Sequence, residues 1–434
     1  MNTEARLHAL REVADAAAYL TGAEALAGAV PDGAPDAAAI RRVGVLGAGT
    51  MGRGIAMAFA QTGRDVVLVD PAAPALDAAR AHLQALADRA EARGKGGAAG
   101  LMARYAFKAD VPALAACDLV VEAVPEILSL KRQVLAQIEA VVGAEALITS
   151  NTSTLDVDAL ADALGRPGRF LGTHFFMPAQ VNRLLELVPA GATTQGTLAG
   201  ALALAADLGK NAVIAANGDG FIGNRLFDRF HQEAMYLVEE GAWPDEVDAA
   251  LEAWGFAIGP FRALDLVGND IPWGVRVQRA ARPVPPPQPR IGDALCEAGL
   301  YGQKTGRGWY LYDETTPKGR PYEELRALVL QVSVELGHRR RPVDAAEIVG
   351  RCVTALMVEA MAMLREGRAQ RASDIDMVYV TGYGFPAALG GPMRLVEALG
   401  EAEVLALANH YAALGGRADG AWARPAAPAE EGAR

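Results

Sequence analysis

The chain has 434 residues, is 51% hydrophobic, and carries a formal net charge of −11 with a pI near 5.2. That length asks for two or three domains with real cores, and that composition excludes a disordered chain. The acidic balance and the lack of a dense Lys/Arg block exclude a nucleic-acid binder, the nearest basic run (Arg339-Arg340-Arg341) reading as a solvated loop.

The N-terminus is charged and amphipathic, without the apolar core of a secretion signal, and residues 5–20 carry Leu7, Leu10, Val13, Ala17 and Leu20 at helical spacing. An Ala/Pro/Gly/Asp stretch over 27–38 reads as a linker, so residues 1–40 form a helix plus linker ahead of the first domain. From Arg42 onward short apolar runs alternate with helical patterns: Val43–Leu46, Val66–Asp70, Leu119–Ala123 and Ala146–Thr149. Such alternation predicts a parallel, doubly wound α/β sheet over residues 41–218. Helical patterns then dominate. A first helical domain is expected over 219–314, with a Pro-rich loop at 283–289. A Pro/Lys/Gly linker at 315–321 leads toward a second helical domain over 340–412, and residues 413–434 read as a loose tail. The two helical parts share an ordered set of signatures. Glu240-Gly241, Val247-Asp248, Gly255-Phe256 and Gly259-Pro260 recur as Glu366-Gly367, Ile375-Asp376, Gly384-Phe385 and Gly391-Pro392. Two related domains packed as an internal pseudo-dimer are expected, in a monomer or a weak homodimer.

Gly47-Ala48-Gly49-Thr50-Met51-Gly52 fits G-x-G-x-x-G between a strand and a helix. In that setting the first glycine permits the tight turn and the second admits a pyrophosphate. The third lets helix and strand pack closely, with the helix N-terminus facing the phosphates. Asp70 closes the next strand, where an acid binds the ribose 2′-hydroxyl, and no arginine follows to hold a 2′-phosphate. NAD is therefore expected rather than NADP. Glu122 and Lys131, in EAVPEILSLK, flank a third strand end, where the nicotinamide half of such a cofactor lies; a surface ion pair is the other reading.

His174 sits in the apolar run Gly172–Phe176, and Glu186 sits twelve residues on in Leu184–Val188. Burying either group alone is costly; as a pair the acid fixes the imidazole tautomer and stabilises its charged form. Ser153, in Ser150-Asn151-Thr152-Ser153, reads either as a helix cap or as a substrate hydroxyl contact, and Asn224 either as a polar residue early in a helix or as a substrate ligand. No metal site is expected. Cys117, Cys296 and Cys352 form neither a C-x-x-C pair nor a disulfide framework, and no apolar run reaches the length of a membrane span. A cytoplasmic protein is the expectation.

These stretches together resemble the 3-hydroxyacyl-CoA dehydrogenase family, in particular the dehydrogenase half of its peroxisomal-type bifunctional hydratase/dehydrogenase branch. The matching runs include GVLGAGTMGRGIA, VVEAVPE, SNTSTL, GTHFFMPAQVNRLLELVP, GDGFIGNR, GFAIGPFRALDLVG, GQKTGRGWYLY and VYVTGYGFPAALGGPM, spread over residues 42–395. The resemblance implies His174 as base, Glu186 as its orienting acid, and Ser153 and Asn224 as substrate contacts. It also implies NAD contacts at Gly47, Gly49, Thr50, Met51, Gly52, Asp70, Glu122 and Lys131. The implied reaction is NAD-dependent oxidation of an (S)-3-hydroxyacyl-CoA, or its reverse, in fatty-acid β-oxidation. A catalytically retired NAD-binding protein on the same fold and a dehydrogenase for a non-CoA hydroxy acid are the alternatives. Three departures stand out. Met177 replaces Asn or Ser beside the base. Pro125 and Ile127 replace aromatic and acidic residues. The hydratase half is absent, so a separate hydratase in the same pathway is an expected partner.

Overall fold

The computed structural model describes residues 3–94, 97–281 and 287–414. The expected tail, and most of the expected Pro-rich loop, lie outside these residues. The described residues fall into two compact units: Thr21–Asn224 with Arg368–Gln370, and the remainder.

The first unit is built on one eight-stranded sheet: β1 (Arg42–Leu46), β2 (Asp65–Val69), β3 (Tyr105–Lys108), β4 (Leu119–Glu122), β5 (Leu147–Ser150), β6 (Phe170–Phe175), β7 (Leu184–Pro189) and β8 (Asn211–Ile214). Their order is β3-β2-β1-β4-β5-β6-β7-β8. β1, β2, β4, β5, β6 and β7 are almost wholly buried, which is why they read as mainly apolar runs rather than as alternating ones. β3 is only half-buried, so it does not announce itself in the sequence. The pairing is parallel except between β6 and β7, and that exception sets His174 directly opposite Glu186. Facing residues of an antiparallel pair hold their Cβ atoms about 4.5–5.5 Å apart on one face. The twelve-residue spacing is thus a hairpin register. Helices Thr50–Gln61, Leu128–Val141 and Gln195–Asp207 cover the sheet, and Ile55, Phe59, Val45, Val121 and Leu187 belong to its core.

The second unit is mainly helical and holds both copies of the internal repeat. Helix Pro244–Trp254 of the first copy packs against helix Ala345–Arg365, which leads into the second. The repeat has a physical core. In the first copy the Asp248 carboxylate accepts the backbone N–H groups of Phe261 and Arg262 and the hydroxyl of Tyr310. In the second, Asp376 accepts those of Met393 and Arg394 and the hydroxyl of Tyr19. Glycine precedes each helix because a Cβ at Gly259 or Gly391 would lie within 2.4 Å of that aspartate. Burial pushes both carboxyls up to about 7 against the pull of their donors. The second copy thus receives its tyrosine from the N-terminal segment, the first from a residue that follows it. Tyr19→Phe and Tyr310→Phe should each cost about 1.5–3 kcal/mol, read as a lowered midpoint in urea unfolding; an unchanged midpoint in either would deny the equivalence.

Two local expectations are corrected. The single helix over residues 5–20 is two, Thr3–Ala9 and Ala16–Ala27, because Asp15 takes a left-handed backbone with φ 59°. The linker at 315–321 is largely strand: β9 (Leu311–Asp313) pairs with β10 (Thr316–Arg320) around a turn in which the Asp313 carboxylate accepts the amide and hydroxyl groups of both Thr315 and Thr316.

Candidate active site

The site lies at the C-terminal edge of the parallel strands in the first unit, where ligands of such sheets bind. Between β1 and helix Thr50–Gln61 the chain must reverse over the sheet edge. Gly47 does so with φ 109°, and a Cβ there would sit 2.5 Å from the Ala123 carbonyl oxygen. A Cβ on Gly52 would lie 1.8 Å from the Gly47 oxygen, so only glycine lets helix and turn approach. At Gly49 nothing lies within 4 Å of a Cβ, which leaves the space a diphosphate needs. The helix that follows has no side-chain cap, so its first N–H groups stay available. Thr50 is exposed and Met51 half-buried at that first turn.

A cavity of about 330 Å³ opens beside this turn, lined by Gly47, Gly49, Asp70, Pro71, Val124 and Val134 among others. It is apolar apart from a few groups, as an adenosine pocket must be. Asp70 does more than the sequence suggests: one carboxylate oxygen accepts Ala48 N and the other Ala72 N, each at 2.9 Å. It therefore fixes the glycine-rich turn as well as facing the pocket. These residues fit NAD. Asp70→Ala should weaken NADH binding about 10–100-fold, the loss of one charge-assisted hydrogen bond plus a loosened turn. Fluorescence titration checks it, and tighter binding of NADPH than NADH by the native chain would contradict the assignment.

Glu122 and Lys131 do not form the surface ion pair that was the other reading. Their side chains are 0% and 1% exposed and bonded to each other at 2.8 and 3.0 Å, so they are not a surface pair. Glu122 also accepts Val124 N and the Ser150 hydroxyl, which ties the ends of β4 and β5 together.

His174 and Glu186 meet as expected. Nδ1 of His174 lies 2.7 Å from Oε2 of Glu186, with His174 7% and Glu186 0% exposed. A carboxylate only accepts, so the hydrogen resides on Nδ1 and Nε2 carries the lone pair. The other oxygen of Glu186 accepts Ile222 N at 3.2 Å and Gly223 N at 2.9 Å. Phe221, buried with φ 48°, turns the backbone so that both amides reach that oxygen. Phe176 and Phe221 pack on the imidazole with centroids at 4.2 and 6.0 Å, fixing the ring plane.

Ser153 and Asn224 are brought together too: the Asn224 amide donates to the Ser153 carbonyl oxygen at 3.2 Å. Asn151 joins this loop to the base strand by accepting Phe175 N at 2.9 Å. One carboxylate went unread. Glu126 accepts the hydroxyl of Thr152 at 2.7 Å and the amides of Ser153 and Thr154 at 2.8 and 3.0 Å. Burial raises its carboxyl, but Lys131 and these donors outweigh burial and hold it below the usual carboxylate range. The only signal in the sequence was a second acid four residues after Glu122. Met177 and Ile127, two of the noted departures, are large apolar residues left 50% and 54% exposed at the loops flanking this edge. Among the described residues no His/Cys/Asp/Glu group is arranged to hold a metal, and no helix is long and apolar enough to cross a membrane.

Residues 42–218 match the NAD-binding domain of 3-hydroxyacyl-CoA dehydrogenase, and 220–312 match its C-terminal domain. The "Peroxisomal bifunctional enzyme" of Cavia porcellus is 38% identical over 86% of this chain and 53% of its own length; the chain spans about half the length of the curated relatives it matches. Among solved structures, (S)-3-hydroxybutyryl-CoA dehydrogenase PaaH1 of Ralstonia eutropha is 36% identical, with a TM-score of 0.60, over 63% of this chain and 100% of its own. The 3-hydroxybutyryl-CoA dehydrogenase of Escherichia coli K12 is 26% identical, with a TM-score of 0.74, over 89% of this chain and 97% of its own. With the glycine turn, the paired His174 and Glu186 and these matches on one sheet edge, the chain belongs to the 3-hydroxyacyl-CoA dehydrogenase family.

Proposed function

We propose that this chain interconverts (S)-3-hydroxyacyl-CoA and 3-oxoacyl-CoA with NAD, as part of fatty-acid β-oxidation. The observation that carries the reading is the His174–Glu186 pair, buried, tautomer-fixed and beside the Ser153–Asn224 contact. NAD, when bound, supplies the hydride acceptor. Nε2 of His174 takes the proton of the substrate 3-hydroxyl in oxidation and returns it in reduction. Glu186 stabilises the resulting imidazolium without itself taking the proton, since two backbone amides hold its second oxygen as an acceptor. Ser153 and Asn224 grip the thioester end, and orientation does the rest.

A retired protein has no use for this arrangement: keeping a histidine and a carboxylate buried together costs desolvation that an apolar pair would not. The three cysteines are buried and unpaired, which supports the reducing, cytoplasmic setting. A monomer whose two helical copies stand in for a dimer completes the reading.

The deciding experiment is spectrophotometric: NADH consumption with a panel of 3-oxoacyl-CoA thioesters of different chain length. Turnover on at least one of them is the expected result. A flat trace on every thioester, with NADH still bound, revives the retired-protein reading.

A further inference from the structure

Phe221 holds a backbone that its side chain disfavours. Its φ of 48° lies in the left-handed region, which a bulky residue adopts only where its surroundings enforce it. The turn has a use in the site. It brings Ile222 N and Gly223 N to one oxygen of Glu186, whose other oxygen holds the imidazole of His174. Locally the turn is closed by a bond from Phe221 N to the Gly218 carbonyl oxygen, which at 3.2 Å stands at the long end of the N–H···O range.

Firmer support comes from far along the chain. Arg368, Ala369 and Gln370 belong to the first unit, although the chain on both sides of them belongs to the second. They pair with the chain just past the end of β8, the edge strand of the sheet: Ala369 forms an antiparallel bridge with Ala215, and Ala216 N donates to the Arg368 carbonyl oxygen at 2.9 Å. The Arg368 side chain reaches further than this backbone pairing. Its Nη1 donates to the Asn217 carbonyl oxygen at 2.6 Å, and the guanidinium rests on the Gly218 backbone, where a Cβ would come within 2.4 Å of Nη1 and 3.0 Å of Cζ. Asn217 is held by its side chain as well. Its Oδ1 accepts Val157 N at 3.0 Å, and its Nδ2 donates to Asp156 at 2.6 Å and to Asp158 at 2.8 Å. The two residues that open the turn are thus fixed before the chain reaches Phe221.

Covering an edge strand needs only the backbone pairing. The guanidinium adds a charge-assisted bond at the point from which the chain departs toward Glu186. We infer that Arg368 is a positioning residue that clamps Asn217 and Gly218, aims the Ile222 and Gly223 amides at Glu186, and so keeps His174 in line for proton transfer. The inference rests on the functional reading above.

The test is a double-mutant cycle on acetoacetyl-CoA reduction, using Arg368→Ala, Arg368→Lys, Glu186→Ala and the combined Arg368→Ala/Glu186→Ala chain. Arg368→Ala should lower kcat about 10–100-fold, as displacement of a catalytic group by up to about 1 Å does. KM for the thioester, and NADH binding titrated by fluorescence, should each move less than about threefold, since the clamp serves the reacting geometry and not ground-state binding. Arg368→Lys can still donate to the Asn217 carbonyl and should recover most of the loss. In the Glu186→Ala background Arg368→Ala should cost less than about threefold, because the carboxylate through which the clamp acts is gone. A merely structural arginine gives the opposite: losses that multiply, and no rescue by lysine. Multiplying losses, native kcat in Arg368→Ala, or a loss confined to KM or to NADH binding would each overturn the inference. Should an alanine chain fail to fold, Arg368→Met against Arg368→Lys decides, because only lysine can donate: a low kcat in the first and a near-native one in the second is expected, and equal values overturn the inference. A wild type inert toward every thioester removes the functional reading and this inference together, whereas an active wild type with an indifferent Arg368 removes this inference alone.

Discussion

Replacing His174 with Gln should cut turnover about 10²–10⁴-fold while NADH binding survives. Glutamine keeps a hydrogen-bond donor near Glu186, so the Glu186 anchor on Ile222 N and Gly223 N stays satisfied and the hairpin has no reason to open. What is lost is the lone pair at Nε2 that exchanges a proton with the substrate 3-hydroxyl. The defect should appear in kcat, because the base contributes to the transition state more than to ground-state binding. Stopped-flow reduction of acetoacetyl-CoA separates the steps: NADH and thioester should bind at near-native rates, and the hydride step should slow. Turnover within a few-fold of native would remove His174 from the reaction. Normal kcat with a raised KM would make it a binding residue instead.

The parts legible in the sequence were those with a local pattern. G-x-G-x-x-G, the acid at Asp70 and the paired apolar runs around His174 and Glu186 each carry their meaning within a dozen or so residues, and the antiparallel β6–β7 register turns the last of these into a contact. The rest depended on partners distant in sequence or on surfaces half exposed to solvent. Lys131 is nine residues from Glu122, and nothing local says that a helix side chain folds back beneath the strand end. Glu126 finds its donors 26–28 residues away, in a loop with no periodicity of its own. The β9–β10 hairpin has partly exposed strands, so its composition read as a linker. The internal repeat was visible as signatures, but its reason, an aspartate that gathers two amides and a tyrosine hydroxyl in each copy, needed Tyr19 and Tyr310 from outside the repeated segments.

In the helical unit the largest expected change in stability follows from Arg351→Met. Arg351 is fully buried, yet it is one of the most charged points of that unit. Its Nε donates to Glu233 at 2.7 Å, its two terminal nitrogens straddle Glu240 at 2.6 and 3.0 Å, and Glu347 lies 3.3 Å away. Burial opposes the charge, but Glu233 and Glu240 outweigh it and raise the guanidinium above its ordinary value. The fork geometry toward Glu240 is the strong, bidentate form of this bond. Methionine fills the stem's volume but carries no charge, leaving Glu233 (0% exposed) and Glu240 (8%) without that cation. Breaking a buried pair from one side costs about 3–5 kcal/mol, more than the pair itself contributes, because the stranded carboxylates must be neutralised or hydrated. For a unit of this size that is roughly a 6–20 °C fall in Tm. The sign of the pH effect separates mechanisms: stranded glutamates take up protons, so the deficit in Arg351→Met should shrink as pH falls toward 5 and widen toward 8. Calorimetry at both pH values reads it. A deficit that is flat with pH would assign the loss to packing around the methionine and not to the stranded carboxylates.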